Sequence, residues 1–166
     1  MNVKDILDNA EIKDIINALG IGFYPNINIS NLRYSKVIIL TDADPDGEHI
    51  ASILIMDLAI LVPDLIKTGH LFLAKTPLYS INDTKRGIFL PLWSQEEVDA
   101  ANAENKPILR AKGLGELNPD QLKICAIDVK TRKLYQVKYT NNLEKLSKLF
   151  SDVNVKRELL EGKFIL

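Results

Sequence analysis

Three aspartates, Asp42, Asp44 and Asp46, alternate along Thr41-Asp42-Ala43-Asp44-Pro45-Asp46-Gly47-Glu48-His49. Carboxylates crowded in this way repel one another, and a cation among them relieves the cost. Two metals could use such a turn. Asp-x-Asp-x-Asp-Gly also opens a calcium EF-hand loop, but that loop follows a helix and ends on a bidentate Glu at its twelfth position. Here a short apolar run, Val37 to Leu40, comes first and the twelfth position is Ile53. The calcium reading fails on both counts. Hard oxygen ligands at a strand end suit Mg²⁺, which keeps most of its waters and meets protein through one or two carboxylates plus a phosphate. The plain alternative is an acidic turn capping a helix that starts near Gly47. Three aspartates exceed what a cap requires.

A second group of chemical interest is Arg110 to Glu116. Gly113 and Gly115 flank Leu114, and Arg110 and Lys112 precede them. Glycines let a backbone approach a partner closely, and a lysine meets a phosphate as a point charge. The bland reading is a tight turn ahead of a helix capped by Asn118, with Pro119 at its first position.

The elements that must position these residues follow from pattern. Val37 to Leu40 reads as a buried parallel strand, and loops at such strand ends are where open α/β sheets place ligands. Ile50 to Val62 is apolar nearly all round, with Asp57 the exception, so it reads as a helix covered on several sides. Upstream, Asp8 and Glu11 form an Asp-x-x-Glu capping box. Ile12, Ile15, Ile16 and Leu19 then repeat at helical spacing, and Gly20 supplies the stop. Residues 21–31 are a loop. Leu71 to Ala74, Pro77 to Ile81 and Ile88 to Trp93 are extended runs. Ser94 with Glu97 opens a helix to about Ala103. Beyond Asn118 the pattern predicts a helix to Ile127, a strand from Lys133 to Tyr139, and helices over Asn142 to Phe150 and about Val153 to Gly162.

At 166 residues the chain is long enough to bury a core. Hydrophobic residues at 46% and charged residues at 26% describe an ordinary globular protein. No run approaches transmembrane length and no secretory signal opens the chain, so the expectation is cytoplasmic residence without a membrane. The single cysteine, Cys125, excludes an intrachain disulfide and reads as core packing. The net charge of −1 conceals an asymmetry. Residues 1–109 hold 9 Lys+Arg against 15 Asp+Glu, and residues 110–166 hold 12 against 7. An acidic, metal-bearing half followed by a basic half is compatible with a metal aimed at a phosphodiester, and equally with uneven solvated surfaces.

Thr-Asp-Ala-Asp-x-Asp-Gly-x-His-Ile after an apolar strand resembles the second acidic motif of the TOPRIM domain in type IIA DNA topoisomerases, the gyrase B subunit and its relatives. Asn9 to Gly20, Leu32-Arg33-Tyr34, Pro63-Asp64-Leu65-Ile66, Gly69-His70, Thr76-Pro77-Leu78-Tyr79 and Lys112-Gly113-Leu114-Gly115-Glu116-Leu117-Asn118-Pro119 match in the same order. The resemblance covers nearly the whole chain. It implies an α/β fold: a partial TOPRIM domain, Rossmann-like with a mainly parallel sheet flanked by helices, and a mostly helical C-terminal tail. It divides the chain into residues 1–110, the second part of the TOPRIM domain, and 111–166, the glycine motif and tail. The family's first motif, a glutamate followed by Gly-Asp-Ser, would lie upstream of Met1. The beginning is therefore expected to be incomplete and the end at Leu166 natural.

The resemblance also implies chemistry. Asp42 would share Mg²⁺ with that glutamate, Asp42 and Asp44 would hold a second metal position, and Asp46 would support the site. Metal so held stabilises charge on the scissile phosphate. Lys112, Arg110 and His49 would contact double-stranded DNA. The tyrosine that cuts DNA belongs to a partner subunit, and none of Tyr24, Tyr34, Tyr79, Tyr135 or Tyr139 lies in its context. The domain that uses ATP and the glutamate motif would come from another chain, as in split large subunits of phage type, in a host cytoplasm and associated with the nucleoid. Two other readings stand beside this one. The first is a non-catalytic DNA-binding or assembly module whose aspartates only cap a helix. The second is another Mg²⁺-dependent TOPRIM enzyme, a primase or nuclease, against which the Lys-Gly-Leu-Gly-Glu run and the tail argue.

Overall fold

A computed structural model describes residues 3–22, 25–83, 86–110, 113–143 and 145. The expected tail helices fall almost wholly outside these residues, and so does Lys112. Two compact units divide the chain, one taking 1–37, 52–72 and 136–166, the other 38–51 and 73–135.

The first unit opens with α1 (Val3–Asp8) and α2 (Ala10–Leu19). The cap between them is Asn9, whose Oδ1 accepts from the Ile12 amide at 3.0 Å. The expected cap, Asp8, instead ends α1. Two adjacent residues could accept, and the short α1 takes the first of them. Ile12, Ile16 and Leu19 are buried at the expected helical spacing. Gly20 closes α2 at φ 73°, a left-handed conformation that glycine adopts without strain. Ile6, Ile21, Val62, Leu65 and Leu71 are also buried in this unit.

β1 (Val37–Ile39) leads into α3 (Pro45–Leu61), α4 (Pro63–Lys67) and β2 (Leu71–Ala74). The Val37 amide donates to the His70 carbonyl at 2.8 Å, so β1 and β2 begin side by side, as parallel strands joined by a helical crossover do. β6 (Leu134–Gln136) is shorter than the seven residues expected. It runs antiparallel to β2, because Lys75 bonds to Lys133 while Val137 bonds to Leu71. The sheet order is β1-β2-β6, which leaves β1 at an edge among the described residues.

In the second unit β3 (Tyr79–Asp83), β4 (Ile88–Leu92) and β5 (Ile108–Arg110) form an antiparallel sheet of order β4-β3-β5. Tyr79 lies opposite Leu92 on one side and Arg110 on the other. β5 was not expected from the sequence: three residues ending in arginine carry too little periodicity to register. α5 (Gln95–Ala103) has the expected Ser94 cap, whose Oγ accepts from the Glu97 amide at 3.3 Å. α6 (Pro119–Leu122) has the expected Asn118 cap, and Gln121 completes a capping box. It continues as a π-helical turn, Lys123–Ile127, that buries Cys125. Burial pushes the Cys125 thiol up to about 11, so it packs as a small apolar group rather than a reactive thiolate. The α/β class expected from sequence holds, with an antiparallel sheet added to it.

Asp57 is the anomaly in α3. It is 5% exposed, and its Oδ1 has no hydrogen-bond partner among the described residues. Desolvation by burial raises its pKa. A carboxyl with a raised folded-state pKa adds stability that is complete below the ordinary aspartate value and is lost as pH rises through the raised one. Asp57→Asn should therefore remove that pH dependence and stabilise the protein near neutrality by about 1 kcal/mol. Denaturant melts of both proteins at acidic and neutral pH check it. Identical pH dependence in the two would show that Asp57 finds a partner.

Candidate metal and nucleic-acid site

The turn after β1 is built by its backbone as much as by its carboxylates. α3 begins at Pro45, two residues before the start that Gly47 suggested. Proline is at home there because its missing N–H is one that a first turn leaves unpaired. Asp44 then sits in capping geometry: its Oδ1 accepts from the Gly47 amide at 2.7 Å, and its carbonyl accepts from the Glu48 amide at 3.0 Å. The capping alternative thus accounts for one oxygen of Asp44. It does not account for Asp42.

Asp42 is engaged elsewhere. Its Oδ1 accepts from the Leu114 amide at 2.7 Å, across a separation of 72 residues. A Cβ on Gly113 would stand 3.2 Å from Asp42 Oδ2 and 3.3 Å from Oδ1, so the carboxylate lies against bare glycine. On its other side a Cβ on Gly47 would fall 2.2 Å from the Asp42 carbonyl oxygen. The preceding residue is fixed too, because the Thr76 hydroxyl donates to the Thr41 carbonyl at 2.8 Å.

The two groups of residues singled out from sequence are therefore one site. Asp42 and the Gly113–Leu114 turn come together, while Asp44 caps α3 and Asp46 lies on its first turn. His49 is exposed one turn further along α3, and Arg110 is exposed at the end of β5. No hydrogen bond or ion pair joins either of them to Asp42 among the described residues. Sequence reasoning missed the Leu114 amide and the Thr76 hydroxyl. A backbone N–H has no signature in residue type. The only signal was the glycine at 113, read as letting the backbone approach a partner closely.

The donor set can be tested against Mg²⁺. Asp42 and Asp44 each have one oxygen committed to a backbone amide and one, Oδ2, without a hydrogen bond among the described residues. Two hard anionic oxygens at a strand end fit a cation that takes one or two carboxylates and keeps its waters. No three His, Cys, Asp or Glu side chains converge as a metal-ligating group among the described residues.

Two known families match the chain in sequence. The Toprim domain matches residues 2–76, and the carboxyl terminus of the DNA gyrase B subunit matches residues 103–160. The B subunit of DNA topoisomerase 4 from Mycoplasma genitalium is 40% identical over 153 residues, covering 90% of this chain and 24% of that protein. Its counterpart from Mycoplasma capricolum is 41% identical over 161 residues, covering 93% and 25%. The chain is homologous to the B subunits of DNA topoisomerase 4 and DNA gyrase. One gyrase example is the DNA gyrase B subunit of Spiroplasma citri, 39% identical over 145 residues, or 84% of this chain and 22% of that protein. The chain spans about a quarter of the length of these B subunits. In this chain the aspartate turn and the gyrase-type glycine run lie in separately matched regions, 2–76 and 103–160, and the Asp42–Leu114 bond joins them. No helix among the described residues is long and apolar enough to cross a membrane.

Proposed function

We propose that this chain supplies the aspartate half of the DNA-cleavage metal site of an ATP-dependent type II DNA topoisomerase. The observation that carries this reading is Asp42: capping explains Asp44, but nothing in the helix start requires a carboxylate at Asp42, and it is bonded to the other motif of the same family. Asp42 and Asp44 would hold Mg²⁺ through their Oδ2 atoms, with Asp46 supporting from the exposed side. The metal, when bound, stabilises developing negative charge on the scissile phosphate and on the leaving sugar oxygen. This chain's own residues orient the carboxylates and approach the DNA backbone. The cutting tyrosine would come from a partner subunit, and the glutamate and the ATP-using domain from another segment of the large subunit. Among the described residues β1 lies at the edge of its sheet, and the N–H and C=O groups that an edge strand presents support a further strand pairing there.

Lys112, two residues before Leu114, is proposed to meet a DNA phosphate, with Arg110 and His49 as flanking contacts. Lys112→Ala should weaken DNA binding regardless of sequence and lower the salt slope by about one counterion. A fluorescence-anisotropy titration over a range of salt concentrations measures this. An unchanged slope would return Lys112 to an ordinary turn residue.

The test of the function as a whole is reconstitution. The chain is co-expressed with a large-subunit segment bearing the ATPase domain and the glutamate motif, and with the tyrosine-bearing subunit. Size-exclusion chromatography should show one complex, and that complex should relax supercoiled DNA in the presence of ATP and Mg²⁺. Relaxation by this chain alone, or failure to join the large-subunit segment, would sink the proposal.

A further inference from the structure

We infer that the Gly113–Leu114 turn is the positioning element of the metal-binding carboxylate, holding Asp42 Oδ1 on the Leu114 amide so that Oδ2 alone is offered to the cation. This rests on the proposed function and says how its site is set. Residues Leu114–Glu116 form a 3₁₀ turn, closed by the Glu116 amide on the Gly113 carbonyl at 3.1 Å and the Leu117 amide on the Leu114 carbonyl at 3.1 Å. The first amides of any helical turn have no partner within it, and a side chain at the capping position normally supplies one. Gly113 occupies that position and has no side chain to offer. The Leu114 N–H is satisfied by Asp42 instead, at 2.7 Å.

The arrangement is reciprocal. Glycine at 113 leaves the turn without a cap of its own, and its bare Cα lets the carboxylate lie within 3.2–3.3 Å of where a methyl would be. The turn is anchored downstream by the Asn118–Gln121 capping box, so the donor is held by α6 and not by a free loop. The carboxylate is anchored from behind by the Gly47 contact on its backbone and by the Thr76 bond to Thr41. A donor and an acceptor that are each fixed by separate elements set the plane of the carboxylate. A carboxylate with one oxygen bonded to an amide and the other without a hydrogen bond among the described residues is arranged for one-oxygen coordination. Partners of this kind fix the orientation of ligating groups, and losing one typically costs about 10- to 100-fold in metal affinity or activity.

The turn thereby acquires a role apart from any phosphate contact of Lys112. Its glycine is explained by the approach of a carboxylate, and Leu114 acts through its backbone.

The experiment uses the reconstituted topoisomerase with Leu114 replaced by its α-hydroxy acid, which keeps the side chain and turns the amide N–H into an ester oxygen. Gly113→Ala is the second variant, placing a methyl against the carboxylate. Mn²⁺ binding is followed by electron paramagnetic resonance, and DNA cleavage is titrated with Mg²⁺. The ester should bind Mn²⁺ about 10- to 100-fold more weakly, shift the Mg²⁺ requirement for cleavage upward, and recover cleavage at saturating metal. A merely structural turn would instead lower cleavage at every metal concentration without moving the requirement. Unchanged Mn²⁺ affinity in the ester would overturn the inference. Asp42→Asn, measured alongside, separates the two levels. If it too binds Mn²⁺ like the wild type, the proposed metal site is wrong. If it loses metal while the ester does not, only the positioning role falls.

Discussion

Asp42→Ala in the reconstituted complex should lose at least about 100-fold in both DNA cleavage and resealing, the scale on which removal of a single preorganised electrostatic group is felt in catalysis. The substitution removes the Oδ2 proposed for metal and also the Oδ1 that accepts from the Leu114 amide. It therefore combines two effects, and Asp42→Asn separates them. Asparagine keeps an oxygen acceptor for Leu114 but carries no charge and is a poor ligand for Mg²⁺. The expected result is a protein that melts close to wild type and assembles normally, yet cleaves as poorly as Asp42→Ala. Melting curves, gel filtration and a supercoil-relaxation assay on the same three preparations decide the matter. Normal relaxation by either variant would leave Asp42 as a tether for the glycine turn and nothing more.

The second large effect is expected at Gly47. In the first turn of a helix, alanine is ordinarily the better residue, by up to about 1 kcal/mol over glycine. Here the sign should reverse. A Cβ at Gly47 would lie 2.2 Å from the Asp42 carbonyl oxygen and 2.9 Å from both its carbonyl carbon and its amide nitrogen. These are backbone atoms, which cannot swing aside as a flexible side chain would. Either α3 or the Asp42 turn must shift, at a cost of about 1–3 kcal/mol, typical of forced overpacking. A displacement of about 1 Å in a catalytic group can cost about 100-fold in rate, so Gly47→Ala should depress cleavage on a scale comparable to loss of Asp42. Gly115→Ala is the control for stability, because a Cβ there meets nothing within 4 Å. It should change stability by no more than about 0.5 kcal/mol. If Gly47→Ala melted higher than wild type and cleaved normally, the close packing of α3 on the aspartate turn would be refuted.

Much of this molecule was legible from residue order alone, for reasons that are local. Ser94 and Asn118 cap helices because their side chains reach an amide three residues on, and that reach is written in the spacing. Ile12, Ile16 and Leu19 show the buried face of α2 through their period. The apolar run before Asp42 is a strand, and the acidic turn follows it as expected. Hydrophobic period also located the long helix, though not its start, because the apolar repeat begins only at Ile50 and Pro45 to His49 lie ahead of it. Asp8 was expected as the cap and Asn9 takes that place: both side chains can accept, and only the length of α1 decides between them.

What tertiary structure alone decided is which distant groups meet. The aspartate turn and the glycine run are each recognisable, but the bond between Asp42 and Leu114 spans 72 residues and uses a backbone amide that every residue but proline possesses. Gly47 and Gly113 both read as turn glycines in sequence, and only the fold shows that both make room for Asp42. Asp57 interrupts an apolar helix in plain view, yet the burial of its Oδ1 without a hydrogen bond among the described residues depends on what the rest of the first unit packs around it. Caps and periodicities act over a few residues, so they survive in one dimension. Contact between elements is set by how the strands pair and the helices cover them, and no single residue type records it.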